Sequence, residues 1–365
     1  MKKALAIITL TLALCVSDLM AWSDLWHPLA PGREKNDIGR LYFGVNGSMF
    51  FINNEYFGDI VEGYTMPGHY VEPYAKYNLS DYFSLKAGFN ILKYYGMDED
   101  AEFYPVLAAT IRFNEKLELT MGGIDANTDY DLSDILVYKE DNYRDPVNNG
   151  FQLRYLGGSF KGSAWISWDQ FIRKGDTIPE IFTAGANLRP TLLKSESGWN
   201  IDVPLQMTAF HRGGQISDFS EKGASIINLL GGIEAGKDLN GRLDYLELFV
   251  HYLIYKDLKE ENSMGINKGN GFFGGVNLGA GSFEFLVAYW SGKDFISTQG
   301  NPMFGSASDY KPYLDLSKRE MLRSQLMWSR FVTERAVFSL LLDSYYDTRR
   351  SQFDYGWGLH ISFAL

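Results

Sequence analysis

The sequence predicts an all-β fold: a closed, up-and-down antiparallel transmembrane β-barrel of about sixteen strands, within a range of roughly fourteen to eighteen. Two patterns predict it: apolar and polar residues alternate in stretch after stretch, and short turns between the stretches alternate with long polar loops. The composition agrees, because aromatic residues make up 15% of the chain, with 37 glycines and 11 prolines. Aromatic rings favour the two interfaces of a membrane barrel, and glycine relieves crowding in its curved wall.

The alternation is strict in several predicted strands. In residues 83–91 and 283–289, every second residue is apolar or aromatic. A period of two places these side chains on one face of a strand, so the two faces meet different surroundings. Short polar connectors such as Asn240-Gly241 read as hairpin turns, whereas residues 125–149 and 291–319 read as long loops.

The last strand shows the clearest alternation. Its apolar set consists of Tyr355, Trp357, Leu359, Ile361, Phe363 and Leu365. In these residues the chain resembles Gram-negative outer-membrane β-barrel proteins of the porin-like superfamily, although members usually end on phenylalanine itself. The resemblance implies that this set is an assembly signal read by the barrel assembly machinery. It also implies a cell outer-membrane location, with membrane lipid and lipopolysaccharide as partners.

The amino terminus reads as an export signal. Lys2 and Lys3 precede an apolar run that ends at Val16, which is a signal-peptide pattern. We expect residues 1–21 to be removed as a signal peptide. Residues 22–37 then form a periplasmic tail or a plug segment, and residues 38–365 form the barrel.

Charge and cysteine content exclude several classes of function. The formal net charge is −11, which disfavours nucleic-acid binding. Cys15 is the single cysteine and lies in the signal peptide, so disulfides and cysteine-ligated metals are excluded from the mature chain. The sequence predicts no cofactor and does not specify an oligomeric state.

One acidic stretch offers weak metal ligands, with oxygen-bearing side chains at every second position as at the start of a calcium loop. Position six of that loop is Tyr130 rather than glycine, and position twelve is Leu136 rather than glutamate. We therefore predict no metal site here. The weak candidates are Asp125, Asn127, Asp129 and Asp131.

No catalytic residue is predicted, because none of the five histidines lies in a G-x-S-x-G or H-E-x-x-H motif. Because alternate side chains of a strand face opposite sides, we expect the side chains of Glu247, His251 and His360 to face the lumen. Glu247 and His251 are about 13 Å apart in an extended strand, too far for a hydrogen bond. We expect a protein that is not an enzyme, with a hydrolase kept as an alternative.

Parity also predicts an arc of basic residues in the lumen, near the short turns. We call this set the basic arc; it comprises Arg40, Lys76, Lys86, Arg112, Arg154, Lys161 and Arg189. A barrel of about sixteen strands is wide enough for an aqueous channel. The leading hypothesis is a porin-like channel for small polar solutes with weak anion preference. The alternatives are a plugged surface barrel for adhesion or envelope assembly, and an outer-membrane lipase or other hydrolase.

Overall fold

The chain forms a closed antiparallel barrel, which confirms the predicted fold class. The computed structural model describes residues 38–124, 132–214, 216–219, 222–259, 265–308, 310–311 and 314–365. Its strands are β1 (Leu41–Glu55), β2 (Tyr64–Ser80), β3 (Phe83–Tyr94), β4 (Glu102–Arg112), β5 (Leu117–Ile124), β6 (Asn148–Leu156), β7 (Phe160–Gln170), β8 (Glu180–Lys194), β9 (Trp199–Asp202), β10 (Leu205–Gly213), β11 (Ala224–Asp238), β12 (Tyr245–Asp257), β13 (Lys268–Ala280), β14 (Phe283–Lys293), β15 (Lys318–Thr333), β16 (Ala336–Asp347) and β17 (Gln352–Ala364).

The seventeen strands occupy sixteen positions around the barrel, because β9 and β10 both pair with β8 and β11. Pro204 separates these two short strands. Proline has no N–H to donate to a sheet ladder, so the strand is interrupted where it stands. The barrel closes where β17 pairs with β1, and Phe51 lies opposite Leu359 in that pairing.

The two ends of the barrel differ in their connections. Connectors such as 81–82, 281–282 and 334–335 are short, and we call the end that carries them the turn end. The other end, the loop end, carries connectors as long as 125–147 and 294–317. In outer-membrane barrels the short turns are periplasmic and the long loops are extracellular.

Alternate residues of each strand face outward and inward, as β12 illustrates. Val250 and Ile254 are 53% and 44% exposed, whereas Leu253 and Tyr255, the two neighbours of Ile254 in the chain, are fully buried. The exposed set forms an apolar outer surface suited to hydrocarbon. The inner residues are also largely apolar near the loop end, which an open aqueous lumen would not favour.

Two chain segments fill the loop-end half of the lumen and account for those inner residues. We call residues 132–147 and the described part of 294–317 the plug segments. Ile135 and Leu136 of the first segment, and Phe295 and Phe304 of the second, are buried in one cluster with inward-facing wall residues such as Trp290. Backbone hydrogen bonds join the two segments, including Tyr138 N–H to the Gln299 carbonyl at 2.6 Å.

Residues 1–37, which include the predicted signal peptide and tail, lie outside the described residues, and so do the four weak metal candidates in 125–131. In the described part of the chain, no helix has the length and hydropathy that a membrane-spanning helix needs.

Candidate functional site

The basic arc lies on the inner wall near the turn end, and several of its members pair with carboxylates. Lys86 Nζ lies 2.5 Å from Glu72 Oε1. Arg154 Nε donates to Glu118 at 2.9 Å, and Arg112 approaches the same carboxylate at 3.6 Å. The positive charge of the arc is therefore partly compensated. Arg40 and Lys161 are exposed, and Lys76 is half-buried.

Arg189 lies in a cluster of three carboxylates. It is paired with Glu234, and its guanidinium lies 3.5 Å from Asp202 and 3.8 Å from Glu247. His251 Nε2 is 3.0 Å from Glu234. Its partner thus comes from the neighbouring strand, whereas reasoning along β12 alone considered only Glu247, which is too far along the strand for a hydrogen bond. Glu247 accepts a hydrogen bond from Asn277 instead.

An ionic network fixes the plug segments to the wall. Arg323 of β15 is 4% exposed and donates to both oxygens of Asp343, at 3.0 and 2.6 Å. The same guanidinium lies 3.1 Å from Asp134 of the first plug segment. Asn301 of the second plug segment donates to Asp134 and to Tyr345. Buried charges are tolerated when they are paired in this way.

His360, a predicted lumen residue, contacts the first plug segment. Its Nδ1 lies 2.6 Å from the Tyr143 hydroxyl, and the two rings are stacked. Nearby, Tyr64 donates a hydrogen bond to Glu140, and Asn54 donates to the same carboxylate at 3.2 Å. Burial raises the pKa of the Glu140 carboxyl above its ordinary value.

A serine and a histidine meet on the outer face of the wall, at the loop end. His211 of β10 and Ser225 of β11 are directly opposite in the strand pairing, and His211 Nδ1 lies 3.0 Å from Ser225 Oγ. Phe182 stacks on the imidazole at 4.9 Å from the other side. Asp257 accepts the Ser225 backbone N–H at 3.2 Å, which holds the start of β11 in place. We call these two residues the Ser–His pair.

An apolar groove lies on the same outer face, closer to the middle of the wall. Its volume is ≈ 470 Å³. Leu205 and Met207 of β10 lie along it, with Gly231 opposite Leu205. A Cβ on Gly231 would have a single heavy atom within 4 Å, a Leu205 methyl carbon at 3.7 Å. The other outward-facing side chains that line the groove are Ala186, Leu188, Leu229, Tyr252 and Ile254.

The groove and the Ser–His pair are aligned along β10. His211 is six positions after Leu205, which is about 20 Å along a strand. With the usual barrel tilt of roughly 40°, that corresponds to about 15 Å along the membrane normal, or half of a hydrocarbon core of about 30 Å. The groove therefore lies on the membrane-embedded side of the pair, and its far end at Leu205 is deeper than the pair by about the thickness of one membrane leaflet.

Sequence reasoning singled out neither the Ser–His pair nor the plug contacts. His211 does not lie in any hydrolase motif, and Ser225 is fourteen positions further along the chain, across a long loop. The two residues could have been recognised as neighbours across the predicted hairpin of β10 and β11. That recognition requires the register of the two strands, which the sequence did not give.

In β17, the predicted assembly-signal residues face outward, while Asp354, Gly356, Gly358 and His360 are buried. In the described residues, no group of three or more His, Asp or Glu side chains is arranged to hold a metal ion.

Residues 33–365 match the model of a family described as Lipid A 3'-O-deacylase-type. That description is of an enzymatic activity. Our expectation that the protein is not an enzyme is therefore wrong. The motif search behind it required a local signature, whereas residues on neighbouring strands can come together without one.

Solved outer-membrane proteins share the architecture at low sequence identity. OprD from Pseudomonas aeruginosa has a TM-score of 0.54 at 9% identity, covering 92% of this chain and 97% of its own. A loop L8 deletion mutant of OmpT from Vibrio cholerae gives 0.52 at 11%, covering 90% and 100%. OccK2 (OpdF) from Pseudomonas aeruginosa, in complex with glucuronate, gives 0.51 at 11%, covering 89% and 98%. These likenesses show the fold, and no curated protein matches the chain.

Proposed function

We propose that this chain, which belongs to the Lipid A 3'-O-deacylase-type family, hydrolyses an acyl ester of a glycolipid in the outer leaflet of the outer membrane. The observation that carries the proposal is the 3.0 Å contact between Ser225 Oγ and His211 Nδ1 on the lipid-facing wall. A nucleophile and its base need a separation of about 2.6–3.2 Å. The filled loop-end half of the lumen also favours chemistry on the outside of the barrel.

The chemistry assigned to the pair is acyl transfer through a covalent intermediate. Neutral His211 accepts the Ser225 hydroxyl proton at Nδ1 while Oγ attacks the ester carbonyl. The sugar oxygen leaves with that proton, and the acyl group stays on Oγ. Water, deprotonated by the same imidazole, then releases the fatty acid and restores the serine. Phe182 limits rotation of the imidazole during both steps.

The groove supplies the position of the acyl chain in this proposal. A chain that enters from the outer leaflet lies along Met207 and Leu205, with its ester near the Ser–His pair. Gly231 leaves room for it, because a glycine at that position does not extend into the groove. Holding the ester near the nucleophile makes the reaction effectively unimolecular.

The test uses refolded protein in vesicles that contain lipid A, with released fatty acid measured by mass spectrometry. Ser225→Ala should reduce release to background, and His211→Asn should reduce it roughly 10²–10⁴-fold. Ser324→Ala is the matched control, because Ser324 pairs with Ser344 at 2.7 Å on another strand pair without a histidine. No release by folded wild-type protein would refute the proposal, and undiminished release by Ser225→Ala would refute the assigned nucleophile.

A second candidate is a gated channel for small polar solutes. What supports it is the charged inner wall of the turn-end half, where the basic arc and its carboxylates lie, together with the width of a sixteen-position barrel. The plug segments would have to move for solutes to pass. Reversal potentials in planar bilayers test it: we expect weak anion preference, and a shift toward cations in Lys86→Glu with Arg112→Glu. Unchanged selectivity in a conducting double variant would exclude the arc from the path.

A further inference from the structure

Four lysines form a row on the outer face of the barrel at the loop end. Lys256, Lys268, Lys293 and Lys318 belong to the neighbouring strands β12, β13, β14 and β15. All four face outward and are exposed. We call them the lysine row. With a spacing of about 4.8 Å between strands, the row is about 14 Å long.

The register of the sheet brings these like charges together. Lys256 lies directly opposite Lys268, and Lys293 lies directly opposite Lys318. Like charges directly opposite one another destabilise a sheet. Within the described residues, no carboxylate oxygen lies within 4 Å of any of these four amines. Glu320, on the same face, pairs with Arg349 at 3.2 Å.

The row lies where the apolar belt of the barrel ends. Towards the turn end, Ile254 is the next outward-facing residue on β12. On β13, β14 and β15 one polar outward-facing residue (Asn270, Ser291 or Glu320) comes before Phe272, Tyr289 and Leu322. Aromatic residues mark the membrane interface in such barrels. Amines just beyond that level are at the depth of lipid headgroups, where cationic side chains are attracted to anionic lipid.

We propose that the lysine row binds the phosphate groups of an outer-leaflet glycolipid. The opposed lysines make this region unfavourable until an anion lies between them, and phosphate is an anion that lysine binds as a point charge. The row is long enough to engage more than one phosphate at once. It begins on β12, one strand away from Ser225, so a bound headgroup would lie beside the Ser–His pair. The inference goes beyond the proposed function, because phosphate binding requires no hydrolysis.

The test measures binding in the Ser225→Ala background, so that no lipid is consumed. Purified protein in neutral detergent is titrated with phosphorylated lipid A and with phosphatase-treated lipid A, and bound lipid is counted by native mass spectrometry. Lys256→Gln with Lys268→Gln should weaken binding of the phosphorylated form about 25-fold, or roughly fivefold per lysine. Lys116→Gln with Lys194→Gln removes the same charge at the turn end and should leave binding unchanged. Equal binding of the two lipid forms by the parent protein would overturn the proposal.

Thermal unfolding in the same detergent gives a second readout. Without lipid, Lys268→Gln should raise the Tm, because it removes one of two opposed charges. Phosphorylated lipid A should reverse that order, since the parent protein gains more from the bound phosphate. If Lys268→Gln still has the higher Tm when phosphorylated lipid A is present, the lysine row is merely solvated and the proposal is wrong. Equal protection by inorganic phosphate at the same concentration would contradict its assignment to a membrane lipid.

Discussion

Replacing Arg323 with methionine should release the plug segments from the wall. The change removes the one guanidinium that contacts both Asp134 and Asp343, at 3.1 Å and at 2.6–3.0 Å. Both carboxylates have side chains 12% exposed, so they would remain largely buried without a cation. Removing one partner of a buried ion pair costs about 3–5 kcal/mol.

Limited proteolysis of the plug segments measures this loss. When opening and closing are fast, cleavage follows the open population, so about 3–5 kcal/mol corresponds to an increase of roughly 10²–10³-fold or more. Arg330→Met is the control, because Arg330 is exposed on the same strand and the charge change is identical. Cleavage of Arg323→Met at the rate of this control would refute the reasoning.

Neutralising the two carboxylates should restore the closed plug. With Asp134→Asn and Asp343→Asn added to Arg323→Met, no buried charge is left unpaired. The amides can still accept from Asn301 and Gln325, which now contact these carboxylates. We expect cleavage within about tenfold of wild type. If the triple variant is cleaved even faster than Arg323→Met, the network acts through its shape rather than through its charge.

Three further predictions concern the wall and the plug. Leu205→Arg puts a charge on the lipid face at a cost of about 2–4 kcal/mol, so it should impair assembly far more than the lumen-facing Gln206→Arg, as scored by heat-modified migration on gels. The pKa of Glu140 is raised in the fold, so plug stability is greatest at low pH and falls as the pH rises from about 4.5; Glu140→Gln should flatten this dependence in proteolysis measured from pH 4 to 8. Tyr143→Phe leaves His360 Nδ1 buried without this partner and should cost about 1–3 kcal/mol, whereas an unchanged thermal transition would deny that contact any role.

The sequence alone determined the barrel and its faces. In β12, for example, Leu248, Val250 and Tyr252 could be assigned to the outside from a period of two, because the alternation of side chains in a strand requires no knowledge of its neighbours. The alternation of short turns with long loops gave the approximate strand number for a similar reason, since turn chemistry is local.

The tertiary structure decided which residues meet across strands and what fills the lumen. His211 lies directly opposite Ser225, and His251 lies diagonally across from Glu234, so it is the register of the neighbouring strands that brings each pair together. Register depends on hydrogen bonds between segments joined by loops of variable length, and a local pattern does not specify it. The plug contacts join positions as far apart as Asp134 and Asn301. The polar residues of a loop do not indicate that it folds into the lumen, since the same composition suits a loop exposed to water. The fold class could therefore be predicted from local periodicity, whereas the candidate site and the closed lumen required the three-dimensional arrangement.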